Sequence, residues 1–262
     1  MRKLVTFGLT VTVVFAIAAV ALAQTSAPAV VTVTSKVTPT SGGSAKKPVN
    51  AATDILFEVN SDSNSTLAGI DYGIPSSLKI SGAGFPKCSA ETVNNKGEAA
   101  CPKGSKVGVG TSTALLGPGK APITFTTGVY TNGANGLTLA LKQDNGSVQV
   151  AFDGKIANNH ITLSIPTNVQ QPVSGLYSYV TSTRAVLGPA TGSKTVKKKV
   201  TVKKNGKKKK VTKKIKVKTF LVSRVGCNGG KDDVTVSLPL SPNPDPPAQN
   251  PISGSTSTPC SK

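Results

Sequence analysis

Short runs of apolar residues alternate with polar ones along most of the chain, and turn residues separate the runs. Nine such runs occur, at residues 30–33, 55–59, 107–115, 123–130, 137–141, 148–152, 161–165, 177–180 and 234–238. Period-two alternation is typical of half-buried strands, and Asn132-Gly133, Asn145-Gly146 and Asp153-Gly154 are pairs that hairpin turns favour. No segment has a convincing helical period. The pattern therefore predicts an antiparallel, all-β, β-sandwich-like domain over residues 49–238.

The two segments that flank this domain have a different composition. Residues 24–48 are mostly Ser, Thr, Ala, Val and Pro, which predicts a linker that donates at most one edge strand. Residues 239–262 contain seven Pro in 24 residues. This composition predicts an extended, disordered Pro-rich tail.

The first 23 residues have the pattern of a signal peptide. Arg2 and Lys3 precede an apolar run over residues 7–22, which ends in Ala21-Leu22-Ala23. A membrane anchor is the alternative, but the run is shorter than the ~20 residues that a span needs. We therefore expect cleavage before Gln24 and a mature protein that is secreted, extracellular or attached to the cell wall, without a transmembrane segment.

Export changes the interpretation of the four cysteines. In an oxidising compartment they make two disulfides most economically, and three pairings are possible. Cys88 and Cys101 enclose a twelve-residue loop, which leaves Cys227 and Cys260. Cys260 lies two residues from the end of the tail, so it is open to three fates: pairing with Cys227, remaining free, or bridging two chains. The sequence contains no CxxC pair, so it gives no support to a zinc site.

Charge is concentrated in one segment. Residues 194–218 contain 14 Lys and no acidic residue, whereas the whole chain has a net charge of +20. A two-residue turn at Asn205-Gly206 would pair Lys204 with Lys207, Val202 with Lys209, Val200 with Val211 and Val196 with Ile215. That register puts the apolar residues on one face, so we predict a long, protruding β-hairpin rather than a disordered basic run.

The hairpin is the candidate binding element. The predicted polyanion-binding residues are Lys203, Lys204, Lys207, Lys208, Lys209, Lys210, Lys213 and Lys214. Lysine lacks the bidentate fork of arginine, and the segment has no aromatic residue to stack on bases. We therefore expect electrostatic binding to an anionic cell-wall polymer or another polyanion, without sequence-specific nucleic-acid recognition. The alternative is that the lysines only protect an exposed hairpin from aggregation.

The sequence offers little for catalysis. His160 is the only histidine and follows the turn residues Asn158-Asn159, and no G-x-S-x-G motif surrounds a serine. No spacing directs carboxylates at a substrate, although acidic residues occur at Asp54, Glu58, Asp62, Asp71, Asp232 and Asp233. Asp62 and Asn64 lack the glycine and terminal glutamate of a calcium loop. We predict no catalytic residue, no metal and no cofactor.

A central stretch carries a more specific signal. Residues 85–114 read FPKCSAETVNNKGEAACPKGSKVGVGTSTA, and Leu221-Val222-Ser223 with Gly229-Gly230 follow later. These residues resemble a family of secreted β-rich proteins of high-GC Gram-positive bacteria with an FPxCS and a CPxGSxVGxG motif. The resemblance covers about residues 46–238 and supports a bridge from Cys88 to Cys101. It implies no activity and supplies no catalytic or ligand-binding residue.

The sequence therefore predicts a secreted, non-catalytic structural or binding protein of the cell envelope. Two other classes remain open. One is a secreted hydrolase with a carboxylate-based site. The other is an adhesin-like subunit that associates through a strand edge and Cys260.

Overall fold

The structure is a computed structural model that describes residues 28–60, 65–144, 146, 149–204, 207–242 and 250–261. For residues 202–204 and 207–209 the description covers the backbone alone. The predicted signal peptide, its cleavage point and the Asn205-Gly206 turn lie outside the described residues.

Strands dominate the described part of the chain. In order they are β1 (Val31–Thr38), β2 (Val49–Val59), β3 (Gly69–Gly73), β4 (Leu78–Ile80), β5 (Lys106–Leu116), β6 (Ala121–Thr131), β7 (Gly136–Gln143), β8 (Gln149–Ala157), β9 (His160–Ser164), β10 (Ser178–Leu187), β11 (Thr191–Lys204), β12 (Lys207–Phe220), β13 (Val222–Arg224), β14 (Lys231–Leu238) and β15 (Ile252–Pro259). Two short helices, α1 (Ala90–Lys96) and α2 (Thr167–Gln170), interrupt them.

The strands form one large sheet and one separate hairpin. The large sheet has 13 strands in the order β15-β14-β3-β9-β8-β7-β6-β5-β10-β2-β13-β4, with β1 paired to β2. All of its strand pairs are antiparallel. The prediction of an antiparallel all-β fold is confirmed, and each of the nine apolar runs overlaps a strand.

The large sheet folds over itself to make two layers around one core. Phe57 on β2 and Tyr72 on β3 lie with their ring centroids 6.3 Å apart, although six strands separate them in the sheet order. The buried core takes inward-facing residues from both layers, including Val33, Leu137 and Val236. Two layers thus bury the apolar faces of their strands against each other, as in a sandwich.

The C-terminal tail is not disordered throughout, so that prediction is wrong for its last part. Residues Ile252–Pro259 form β15, which pairs along its whole length with β14. Ile252 is buried in the core, and the cross-strand bridge from Cys227 to Cys260 fixes the end of the strand. The strand follows the proline cluster and has an alternating Ser and Thr pattern, which an edge strand accepts. Residues 243–249 lie outside the described residues.

The predicted linker also contributes to the sheet. Its residues Val31–Thr38 form β1, which pairs with β2 over eight positions. Val33 and Val37 are buried because this alternating segment has its apolar face toward the core. The segment therefore donates one edge strand, as its composition allows, and this strand belongs to the folded domain.

Residues 85–105 of the motif stretch cover the outer face of the sheet, and residues 106–114 belong to β5. Ser89 caps α1 by accepting a hydrogen bond from the amide of Thr92, and Val93 of this helix is buried with Cys88, Tyr130 and Ala140. A helix of seven residues with one buried position gives no periodic signal, which explains why the sequence pattern does not predict it. The FPxCS residues are thus accounted for by a helix cap and a disulfide.

Candidate functional site

The lysine-rich segment forms a two-stranded antiparallel sheet separate from the large sheet. The register pairs Val196 with Ile215 and Val200 with Val211, as the sequence indicates. Closer to the tip, Val202 pairs with Lys209 and Lys204 with Lys207. Each strand has fourteen residues, so the hairpin extends for roughly 45 Å at ~3.3 Å per residue.

The two faces of the hairpin differ in chemistry. Between Ser193 and Lys218, the positions on one face are all Lys, Ser or Thr. The described lysines of this face are exposed: Lys197, Lys199, Lys210, Lys214, Lys216 and Lys218. The opposite face carries half-buried apolar residues together with exposed lysines. Those apolar residues are Val196, Val200, Val211, Ile215 and Val217. The first face is therefore a surface of positive charge, and we call it the lysine face.

The root of the hairpin is fixed to the body of the protein. Ser193 donates its amide hydrogen to the carbonyl of Gly84 at 3.0 Å, and Leu221 donates to Ala190 at 3.2 Å. A Cβ on Gly192 would lie 2.7 Å from the Gly84 oxygen, so the glycine permits this close approach. The hairpin therefore leaves the body at a defined point beside Gly84.

Like charges face each other across the two strands. Lys197 pairs with Lys214 and Lys198 with Lys213, at cross-strand positions where charges repel. The ion pairs among the described residues all lie elsewhere, so no acidic partner neutralises a described hairpin lysine. An external polyvalent anion would relieve this repulsion and release the counterions that the lysines hold.

The structure extends the list of candidate lysines. The predicted set covers the distal half of the hairpin, from Lys203 to Lys214. By register, Lys203, Lys208, Lys210 and Lys214 fall on the lysine face, whereas Lys204, Lys207, Lys209 and Lys213 fall on the opposite face. Lys197, Lys199, Lys216 and Lys218 lie on the lysine face closer to the root. The signal for them was the strand register itself, because period-two alternation assigns every second residue to one face.

The acidic residues are dispersed. Among the described residues, each acidic residue that forms an ion pair has its own basic partner. Asp54 accepts two hydrogen bonds from the guanidinium of Arg184, and Asp232 is buried with Arg224. Asp233 contacts Lys231, and Asp62 lies outside the described residues. The arrangement does not bring two of these carboxylates to one cleft, so it gives no support to the hydrolase alternative.

His160 forms an exposed pair with a carboxylate. Its Nδ1 lies 2.8 Å from Oδ1 of Asp71, and the two residues come from the neighbouring strands β9 and β3. Asn158 and Asn159, both with positive φ, make the turn that precedes it. A catalytic triad would need a serine or threonine hydroxyl that is hydrogen-bonded to this ring. Among the described residues, the hydrogen bond of the ring is to Asp71 and not to a hydroxyl.

Both disulfides lie within the chain. Cys88 pairs with Cys101, and Cys227 pairs with Cys260. The bridge to Cys260 is intramolecular, which argues against a covalent bridge between two chains. All four cysteines are thus used, and the described residues contain no group of three His, Cys, Asp or Glu side chains that would hold a metal ion.

Comparison with known proteins leaves this chain without a match. No protein-family model, no curated protein and no solved structure matches it. In the part of the chain that the structure describes, none of the helices has the length and apolar character required to span a membrane.

Proposed function

We propose that this protein is a secreted, non-catalytic binding protein of the cell envelope, and that its lysine hairpin attaches it to an anionic polymer. The observation that carries this proposal is the lysine face. Six described lysines are exposed on one side of a protruding two-stranded sheet whose segment contains no acidic residue.

The spacing of the lysines suits a linear polyanion. Residues two apart on one strand lie ~6.8 Å apart on the same face, at ~3.4 Å per residue. Lys214, Lys216 and Lys218 follow this spacing along β12. A chain of repeated phosphate or carboxylate groups can contact several of them at once, so the attraction accumulates without a defined binding pocket.

The chemistry of the hairpin favours charge over sequence recognition. Residues 194–218 contain no aromatic residue and no arginine, so base stacking and bidentate hydrogen bonding are both missing from the segment. Binding would therefore depend on the charge density of the polymer and weaken steeply with salt. This behaviour suits anchoring to an abundant wall polymer.

The assignment to the outside of the cell rests on two observations. The sequence begins with the pattern of a cleaved signal peptide, and the two disulfides are of a kind that persists in oxidising compartments. A basic protein released there meets the polyanions of the envelope before it meets nucleic acid.

The test is binding of the mature protein to immobilised long-chain inorganic polyphosphate over a range of salt concentrations. The variant is Lys210→Glu/Lys214→Glu/Lys216→Glu on the lysine face. The control is Lys46→Glu/Lys47→Glu/Lys155→Glu, which has the same net charge but alters exposed lysines outside the hairpin.

We expect the hairpin variant to lose at least about tenfold in affinity at fixed low salt, and its slope of log K against log salt to fall by ~0.7 to 0.9 per lost contact. The control should keep most of the affinity. Equal losses in the two variants would mean that net charge alone is responsible. Failure of the unaltered protein to bind would contradict the proposal directly.

A further inference from the structure

The inner face of the large sheet lines an open cavity, and no described residue of the hairpin belongs to its lining. Its volume is about 680 Å³, within the range of small-molecule sites. Residues of β2, β3 and the six strands from β5 to β10 form its wall. Protein interiors contain few voids larger than a water molecule, so a cavity of this size is a distinct feature of the fold.

The wall is predominantly aliphatic and aromatic. Four inward-facing residues, Phe125, Leu139, Val150 and Val180, are only partly buried although they pack against the core. Their partial exposure is explained by the cavity that they line. Apolar surface of this kind gains free energy from contact with an apolar molecule.

One polar group in the wall has no partner. Thr127 on β6 is 8% exposed, and its hydroxyl has no hydrogen-bond partner within the described protein. Other hydroxyls of the wall are satisfied: Thr183 bonds to Ser112 at 3.2 Å, and Ser178 donates to the carbonyl of Val169 at 2.7 Å. That oxygen is itself buried, so at Thr127 the cavity presents apolar surface to a bound molecule.

The charged residue of the wall is already paired. Arg184 is the one charged residue among the described residues that line the cavity, and its exposed guanidinium donates two hydrogen bonds to Asp54. The wall therefore has no free cation for a carboxylate or phosphate headgroup. Burying an uncompensated anion there would be unfavourable.

Residues outside the strands also line the cavity. Val169 of α2 and the following Pro172 and Val173 belong to this lining, and Val173 is 56% exposed. These residues add apolar surface to the wall.

We propose that this cavity is a binding site for a neutral lipid with a single hydrocarbon chain. The hydrocarbon chain occupies the space between Phe125, Leu139, Val150 and Val180. This site is independent of the lysine hairpin, so the failure of one proposal leaves the other standing.

The experiment uses the mature protein and the fluorescent apolar probe N-phenyl-1-naphthylamine, displaced by 1-dodecanol or by dodecanoate. The two competitors have the same chain length and differ in headgroup charge. We expect micromolar binding of the probe and displacement by dodecanol at a concentration at least about tenfold lower than by dodecanoate, because the wall has no free cation.

Two variants locate the site. Leu139→Trp and Val180→Trp fill the cavity from two different strands and should each abolish probe binding. Thr111→Val, at an exposed position on β5, is the control and should bind the probe as the unaltered protein does. Circular dichroism checks that the variants remain folded.

Three results would overturn the proposal. The first is the lack of probe binding by the unaltered protein. The second is undiminished binding in both tryptophan variants, which would place the probe on an outer surface. The third is tighter binding of dodecanoate than of dodecanol, which would show that the site takes an anion.

Discussion

The guanidinium of Arg224 and the carboxylate of Asp232 form a completely buried ion pair, with Nη2 and Oδ2 2.5 Å apart. Arg224 also donates to the carbonyls of Pro39 and Gly226, at 2.7 and 3.1 Å, and the hydroxyl of Ser77 donates to the second carboxylate oxygen. The pair thereby joins β13, β14 and the turn after β1. The strands that carry the chain from the hairpin to the C-terminus are anchored at this point.

Removal of one partner from this pair should destabilise the protein severely. We expect Arg224→Met to lower the free energy of unfolding by ~3–5 kcal/mol in urea denaturation, because it leaves a buried carboxylate without a counter-charge. The double variant Arg224→Met/Asp232→Leu should recover much of the loss. Arg184→Met, which removes an exposed partner of Asp54, should have a far smaller effect. A double variant as unstable as the single one would argue against the charge explanation.

The pair of Asp54 and Arg184 should contribute to acid sensitivity. The hydrogen bonds from Arg184 hold the pKa of Asp54 below its usual value, against partial burial, which acts in the opposite direction. A lowered folded-state pKa gives stability above the unfolded value of 3.8 that is lost as the pH falls through the folded value.

We therefore expect Asp54→Asn to lose less stability than the unaltered protein between about pH 5 and about pH 2. Arg184→Met should show the same reduced dependence, since it removes the other half of the pair. Thermal melts across this range measure the effect. Identical pH profiles for all three proteins would contradict this account of Asp54.

The glycines of β5 permit close contact with β10. A Cβ on Gly110 would lie 2.3 Å from the carbonyl oxygen of Arg184, which is backbone and unable to rotate away. We expect Gly110→Ala to destabilise the protein by ~1–3 kcal/mol in urea denaturation. Gly119→Ala is the control, since nothing lies within 4 Å of a Cβ at that position. Equal stability of the two variants would show that the strands separate at little cost.

The disulfide from Cys227 to Cys260 should hold β15 in the sheet. We expect Cys260→Ser to lower the free energy of unfolding by ~2–4 kcal/mol, because the bridge closes a loop across 33 residues. β15 lies at the edge of the sheet and should then exchange its amide hydrogens faster than β14. The double variant Cys227→Ser/Cys260→Ser should behave like Cys260→Ser. Because the double variant has no free thiol, agreement between the two assigns the effect to loss of the bridge. Unchanged exchange in β15 would indicate that strand pairing alone retains it.

The fold was predictable where strands alternate clearly and turns carry Asn-Gly or Asp-Gly. The hairpin register was predictable for the same reason, because one frame aligned Val196 with Ile215 and Val200 with Val211. Glycines flank Val107 and Val109 in the sequence, where missing side chains permit a bulge, and the register against β6 shifts there between Lys106 and Gly108. Local chemistry was sufficient in these places.

Other features depended on contacts that a sequence pattern does not contain. Strand β15 follows a proline cluster and has few apolar residues, so only its pairing with β14 and its disulfide identify it. Arg224 and Asp232 read as ordinary surface charges until β13 and β14 bring them together. The cavity is lined by residues of eight strands that lie far apart in the sequence, so no local pattern indicates it.

The most direct test of the central claim is fractionation of the producing cells into medium, wall and membrane, with stepped salt washes of the particulate fractions. We predict that the protein is found with the wall and elutes as salt rises, and that Lys210→Glu/Lys214→Glu/Lys216→Glu moves it to the medium. The control Lys46→Glu/Lys47→Glu/Lys155→Glu should stay on the wall. An unaltered protein found free in the medium would contradict the claim and make the lysines a device for solubility.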